Sequence, residues 1–446
     1  MTERVSILAI GDVHLGAACS GVPEGMADRG VEPRELTPES ALARCVDWAV
    51  EERVDAVLFA GDVVESTNAR FEAMAPLEES VRRLVDAGIE VIAVAGNHDV
   101  EALPRLAALI DGFALLGAGG RWEARTIPKD RSPVVQVVGW SFGEARVRHS
   151  PVAELLKQPP APPSPPVPRI GLLHADLDAS GGYYAPVRQS ELDDTGYGAW
   201  LLGHIHKPSI EGLSATGTRP CGYLGSLVGL DLSETGPHGP WLLEVSREGD
   251  IACRQIPLAP LRWERVTVPV DGLEHVDDVH DRLMSEAESL VRRLGEVGFL
   301  PRAIGLRVHL TGTAGCYDGL RRWIEGEAWH SMGRVVDGTG VFLCEVVDAM
   351  APPLDLEAIA SGDDPAALVA QRLLMLGRDD DGSRKLLAEA RAEMDGTARE
   401  LVWQPVQEHR HAADPLSDDA LREVLLRAGR AVLNAMIAGR GQGGST

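Results

Sequence analysis

VSILAIGDVHLG (residues 5–16) passes within a few positions from an almost unbroken apolar run to an acid and a histidine. A run this apolar suits a strand covered on both faces, because such strands lose the in/out alternation of half-exposed ones. The pattern returns. VDAVLFA (54–60) leads into GDVVES, IEVIAVA (89–95) into GNHD, and AWLLGH (199–204) into IHKP, while RIGLLH (169–174) ends on its own histidine. VVQVVGW (134–140) reads as a further strand. Between them TPESALARCVDWAVEE has Thr37 as N-cap and Pro38 at the first helical position, and FEAMAPLEESVRRLVDAG is a second helix closed by Gly88. Strands alternating with helices predict a layered α/β fold.

Working outward, QPPAPPSPPVPR (158–169) is a polyproline-type stretch, read as an insertion inside one domain because strand-like sequence resumes at once. That catalytic domain is placed at residues 1–258. From about residue 260 the strands WERVTVPVD, AIGLRVHLTG and GTGVFLCEVVDA, separated by helical runs, predict a small α/β module over 259–350. Residues 351–446 read as helical. There Leu421, Val424, Leu425, Ala428, Val432, Ala435 and Met436 form a stripe at helical spacing, suited to core packing or to a partner helix. The final RGQGGST reads as a frayed tail.

The 446 residues carry 43 Lys and Arg against 67 Asp and Glu, a net charge of −24, which argues against a protein that coats nucleic acid by charge alone. Phosphate chemistry would need cations or a local basic surface to offset that field. The six cysteines show no C-x-x-C pair and fit reduced thiols in a cytoplasmic protein. No apolar stretch is long enough to span a bilayer, and VSILAI is too short for a secretory core.

In open α/β sheets the carboxyl ends of strands share a crevice, so Asp12, His14, Asp62, Asn97, His174, His204 and His206 would become neighbours. Residues i and i+2 of an extended chain face one side, so D-x-H and H-x-H can each aim two ligands at one cavity if extended geometry persists. Adjacent Asn97 and His98 diverge, one toward metal and the other toward substrate. The glycine before each motif permits a sharp turn and close approach. Singly, each motif is an ordinary strand-to-loop turn; five together, each after an apolar run, point to a site. Imidazoles, carboxylates and one amide suit Mn, Fe or Zn better than an all-oxygen Ca or Mg cage. Seven ligands suit two ions, which polarise a phosphoryl group and acidify a bound water: the chemistry of phosphate-ester hydrolysis.

These motifs together resemble the calcineurin-like metallophosphoesterases. More narrowly, RIGLLHADLDASGGYYAP, YLGSL (223–227) and SETGPHGPWLLEV (233–245) are similar to DNA-repair exonuclease subunits of the SbcD type, in particular the shorter YhaO-like relatives. The resemblance implies two β-sheets flanked by helices, a capping domain and a helical C-terminal region. It implies that Asp12, His14 and His206 hold one divalent ion, Mn2+ foremost, that Asn97, His174 and His204 hold the other, and that Asp62 bridges. His98 would face the scissile phosphate, with Asp99 orienting its ring. The implied partners are DNA and an SMC-like coiled-coil ATPase, since this chain has no P-loop, and a homodimer is compatible. Two departures stand out: Glu65, read as lying outside the coordination shell, and Leu224 where a proline is common.

Alternatives are a phosphodiesterase or phosphatase for small molecules, and a non-catalytic scaffold that keeps metal for structure. GWSFG (139–143) matches the serine nucleophile elbow, but no helix follows it directly. The modest basic excess at 121–149 (Arg121, Arg125, Lys129, Arg131, Arg146 and Arg148) reads foremost as a solvated face, with contact to a nucleic-acid backbone as the alternative.

Overall fold

A computed structural model gives the fold and describes residues 4–23, 26–27, 30–65, 73–129, 132–179, 181–210, 219–296, 298–352, 354–378, 380–398 and 418–442. The chain divides into two compact units. The first comprises Met1–Val266, Leu283–Val308 and Glu327–Val347; the second comprises Thr267–Arg282, His309–Gly326 and Asp348–Thr446.

Two sheets dominate the first unit. In the six-stranded sheet, β1 (Arg4–Ile10), β2 (Ala56–Ala60), β3 (Glu90–Val94) and β4 (Phe113–Leu115) run parallel. Two antiparallel strands, β10 (Trp241–Ser246) and β11 (Ile251–Gln255), extend it beyond β1. In the five-stranded sheet, β6 (Ser132–Trp140), β7 (Arg169–His174), β8 (Ala199–Gly203) and β9 (Cys221–Tyr223) are parallel, and β5 (Trp122–Lys129) pairs antiparallel with β6.

The period of two along each strand explains the layering. Val5, Ile7 and Ala9 of β1 share one core with Leu58 of β2, Ile92 of β3, Val137 of β6, Leu172 of β7 and Leu201 of β8. That core lies between the two sheets. The alternate residues Leu8, Ile10, Val57 and Phe59 pack with Leu42 and Val46 of α1 (Pro38–Glu52) and Leu77 and Val81 of α2 (Met74–Asp86). On the outer face of the other sheet, Leu173, Trp200 and Leu202 pack with Leu155 of α4 (Val152–Leu155) and Leu192 of α5 (Gln189–Asp194). Both faces of each sheet are therefore covered, which is why the sequence runs are continuously apolar. The helix α3 (Ala102–Leu109) follows β3.

The six strands read from sequence all form, but as three members of each sheet rather than one series. Thr37 caps α1 as expected, its hydroxyl accepting Ser40 N–H at 3.3 Å, with Pro38 at the first turn. The Pro-rich stretch runs as irregular chain between α4 and β7. Further along, a four-stranded sheet has the order β12 (Leu261–Pro269), β13 (Ala303–Gly312), β15 (Thr339–Met350), β14 (Gly333–Val336), with helices α6 (Val276–Glu296) and α7 (Tyr317–Glu325) between its strands.

The C-terminal residues form α8 (Leu356–Ala360), α9 (Pro365–Leu376), α10 (Asp381–Ala398) and α11 (Asp418–Gln442). Here the expected stripe is only partly buried. Leu421 is buried, but so is Leu433, outside the stripe, while Val424, Val432 and Met436 are 40%, 47% and 36% exposed. The apolar arc of α11 is wider than the face its neighbours cover. Residues 443–446 of the tail lie outside the described residues. Among the described residues no helix is long and apolar enough to cross a membrane.

Candidate metal centre

The parallel strands of both sheets deliver their carboxyl ends to one place. Asp12 and His14 follow β1, Asp62 follows β2, Asn97 and His98 follow β3, His174 ends β7, and His204 and His206 follow β8. The segments are stitched by main-chain contacts. Val13 and His14 N–H donate to Asp62 O at 3.0 and 2.9 Å, His204 N–H donates to Asp12 Oδ1 at 2.9 Å, and His98 N–H donates to Asp62 Oδ1 at 2.9 Å.

The condition that extended geometry persist through D-x-H and H-x-H is not met. His14, Asp62 and His204 lie at φ 54°, 48° and 107°, in the left-handed half of backbone space. Such residues cost about 1–3 kcal/mol each and persist only where the surroundings hold them. The ligands converge because the chain turns there, not because it stays a strand. Close approach is as expected: a Cβ on Gly96 would stand 2.2 Å from Asp62 Oδ1, so only glycine leaves room for that carboxylate.

The predicted ligands fall into two adjacent groups, Asp12, His14 and His206 in one and Asp62, His174 and His204 in the other, and a third group, His14, Glu65 and His98, shares His14 with the first. His14 Nε2 lies 3.1 Å from His206 Nε2 and 4.0 Å from Asp62 Oδ2. His174 Nε2 lies 3.3 Å from Asp62 Oδ2 and 3.0 Å from Asn97 Oδ1. Each imidazole has its other nitrogen held from outside: His14 Nδ1 by Glu65 (3.0 Å), His206 Nδ1 by Glu234 (2.8 Å), His174 Nδ1 by Ala60 O (3.1 Å) and His204 Nε2 by Asp176 (3.0 Å). Ligating histidines are usually held this way, and it fixes which nitrogen faces the ion. With neutral rings that leaves lone pairs facing lone pairs inward, together with the buried Asp12 Oδ2, which has no hydrogen-bond partner. Acceptors packed against acceptors fit cations between them.

Without ions the charges lean on one another. Burial opposes a charge on His174, but the Asp62 carboxylate beside it prevails and raises the imidazole to about 9. Burial likewise opposes ionisation of Asp62, yet the His174 charge holds it well below the usual carboxylate range. His204 is pushed down, first by burial and then by His174.

His98 belongs to neither of the two groups of predicted ligands, and its side chain is 40% exposed. The carboxylate that meets it is Glu65, at 3.1 Å from Nδ1, rather than Asp99. Asp99 is fully buried, and its two oxygens accept the N–H groups of Val63 and Gly96, each at 2.7 Å. Burial, then the nearby Asp62, pushes it up to about 7. Asp99 thus ties the turn after β2 to the turn after β3. Glu65, Asp176 and Glu234 were not assigned roles from the sequence, and only Glu65 carried a signal, as a departure from the resemblance.

Residues 5–208 match the family model described as calcineurin-like phosphoesterase. This part of the chain is similar to that family. The chain is 25% identical over 336 residues to the uncharacterized metallophosphoesterase YhaO of Bacillus subtilis (strain 168), covering 70% of this chain and 73% of YhaO. It is 30% identical over 254 residues to the DNA double-strand break repair protein Mre11 of Aeropyrum pernix, covering 55% of this chain and 59% of that protein. The Mre11 of Haloferax volcanii is 29% identical over 302 residues, covering 65% and 61%. The chain thus spans about three fifths of the Mre11 relatives.

Calcineurin-like phosphoesterases are metal-dependent hydrolases that use two divalent ions, and the two groups at this edge suit a pair. The serine of GWSFG plays no such part. Ser141 is fully buried, donates to Leu116 O at 2.5 Å and accepts Ala95 N–H at 2.8 Å, so its hydroxyl ties together the chain that follows β3 and β4. In the basic stretch, Arg125 pairs with Glu90 and Lys129 with Asp55, both at 2.7 Å, while Arg131 lies outside the described residues.

Proposed function

We propose that the chain is a dinuclear metal-dependent phosphodiesterase that cleaves DNA, with Mn2+ as its ions. The observation that carries this is the set of inward-facing acceptors from five strand ends. Asp12, His14 and His206 would hold one ion, Asn97, His174 and His204 the other, and Asp62 would span both. When bound, such ions polarise the phosphoryl group and activate water. The protein's own groups do the rest. Carboxylates on the outer nitrogens of His14, His204 and His206, and the Ala60 carbonyl on that of His174, keep the imidazoles turned inward, and His98, its Nδ1 held by Glu65, is placed to give a proton to the leaving oxygen.

A nucleic-acid substrate is favoured by the rim. The Tyr184 ring lies 4.9 Å from that of His204, and its neighbour Tyr183 is 46% exposed with the Arg148 guanidinium 4.4 Å over its face. An exposed aromatic beside a cation suits an unpaired base and its phosphate. The names of the Mre11 relatives agree with a role in DNA repair. By the same resemblance the chain would work in the cytoplasm with an SMC-like ATPase, as catalytic residues 1–258, a cap at 259–350 and a helical partner-binding region at 351–446.

The test compares linear duplex DNA, single-stranded DNA and small phosphodiesters, with Mn2+ and with chelator. Metal-dependent cleavage of DNA is expected. Turnover of small esters alone, with and without a candidate ATPase, would replace this reading with the small-molecule one.

A further inference from the structure

We infer that Glu65 is a positioning residue that fixes the tautomers of His14 and His98 together, so that seating one ion ligand and aiming the phosphate-facing imidazole depend on a single carboxylate. The inference deepens the phosphodiesterase reading and rests on it for the role of His98. Glu65 Oε2 lies 3.0 Å from His14 Nδ1, and Oε1 lies 3.1 Å from His98 Nδ1. An ionised carboxylate only accepts hydrogen bonds, so both Nδ1 atoms must carry protons and both Nε2 atoms are left for other work.

The backbone makes this reach reproducible. Glu65 N–H donates to Leu15 O at 3.0 Å and Leu15 N–H to Val63 O at 2.9 Å, so the loops after β1 and β2 run as a short parallel pair. The His14 and His98 rings meet edge to face, with centroids 5.1 Å apart and planes at 86°. The other acceptors serve one ring each: Glu234 holds His206, Asp176 holds His204 and Ala60 O holds His174. Glu65 joins an imidazole of the ion cluster to one outside it. His98 has the greater need, since its side chain is 40% exposed against 4% for His14.

A rival use of the same atoms exists. His14, Glu65 and His98 could themselves surround an ion, and Glu65 would then be a ligand. The two uses predict different responses to Glu65→Gln, which keeps the shape but offers one acceptor and one donor. A ring facing the amide NH2 must present an unprotonated Nδ1, its proton moving to Nε2. The measurement is nitrogen-15 NMR of labelled histidines in the metal-free protein, at mildly alkaline pH where an unconstrained imidazole is neutral, together with calorimetric titration of Mn2+.

Wild type is expected to carry protons on Nδ1 of both rings, and Glu65→Gln to lose one of them. If His14 switches, affinity for one of two Mn2+ equivalents falls about 10–100-fold. If His98 switches, both equivalents stay and kcat falls with little change in KM. Glu65→Asp, still an acceptor, should keep both Nδ1 protons in part, and it serves if the glutamine variant does not fold. Unprotonated Nδ1 atoms in wild type would overturn the inference. So would unchanged tautomers in Glu65→Gln, including the case where one whole equivalent of Mn2+ disappears. NMR and calorimetry need no substrate, so an absence of phosphodiesterase activity would sink the functional reading without deciding this one.

Discussion

β7 begins at Arg169 and ends at His174, and its two ends are chemically opposite. At the entry edge, Arg169, Arg219 and Arg247 line an open cavity of about 680 Å3 together with Glu248 and Asp250. Each guanidinium donates to a main-chain carbonyl, of Pro160, Tyr197 and Pro133 respectively. At the exit edge His174 is fully buried, with Asp12 and Asp62 within 4 Å. The roomy end carries charges that water also solvates, whereas the tight end carries charges that have only one another and a few fixed protein dipoles. Burial and backbone strain, not the size of a cavity, mark the exit edge as the candidate ion site.

The contrast fails first if the exit-edge charges turn out to be independent. Asp62→Ala leaves His174 buried without its main counter-charge, and removing one partner of a buried pair costs about 3–5 kcal/mol. Urea unfolding of the metal-free variant should show that loss, and the loaded variant should not turn over. A loss below about 1 kcal/mol, typical of exposed pairs, would erase the distinction between the two edges. His98→Ala sharpens it, because this imidazole shares the exit edge but not its burial. Turnover should fall about 10²–10⁴-fold, the usual contribution of a positioned acid or base, with Mn2+ content unchanged. Loss of an ion with His98 would place it inside the cluster.

The exit edge was largely legible in the sequence, and the reason is physical. Strands covered on both faces are apolar throughout, so an acid or histidine that follows one marks its end, and parallel strands bring those ends together. The carboxylates that turn the imidazoles were not legible. Glu65, Asp176 and Glu234 sit in loops without periodicity, and their contacts arise from the packing of segments up to 51 residues apart. Sheet membership was hidden too, because an apolar run does not say which neighbour it will pair with. β5, WEARTIPK, went unread since its charged residues face outward, and β4 and β9 have three residues each.

Smaller effects belong to the rims. Tyr183→Ala should weaken binding of single-stranded DNA by about 1–3 kcal/mol, the range for one stacked base, and leave a small phosphodiester untouched. Equal loss on both substrates would mean that the ring supports the fold of the exit edge instead of meeting a base.

The smallest effect is expected at the entry edge. Arg219→Ala removes a guanidinium whose hydrogen bond goes to Tyr197 O at 3.1 Å, beside the Tyr197 and Trp200 rings stacked at 5.4 Å. An exposed cation held this way is worth about 0–1 kcal/mol, because water replaces the lost donor. Thermal melting should therefore shift little, and kcat/KM should stay within a factor of two of wild type, since the edge is separated from the ions by the length of β7, about 17 Å for six residues. A large loss of turnover with the melting temperature unchanged would show that the entry edge reports to the metal centre through the strands, and the two ends of β7 would then have to be treated as one device.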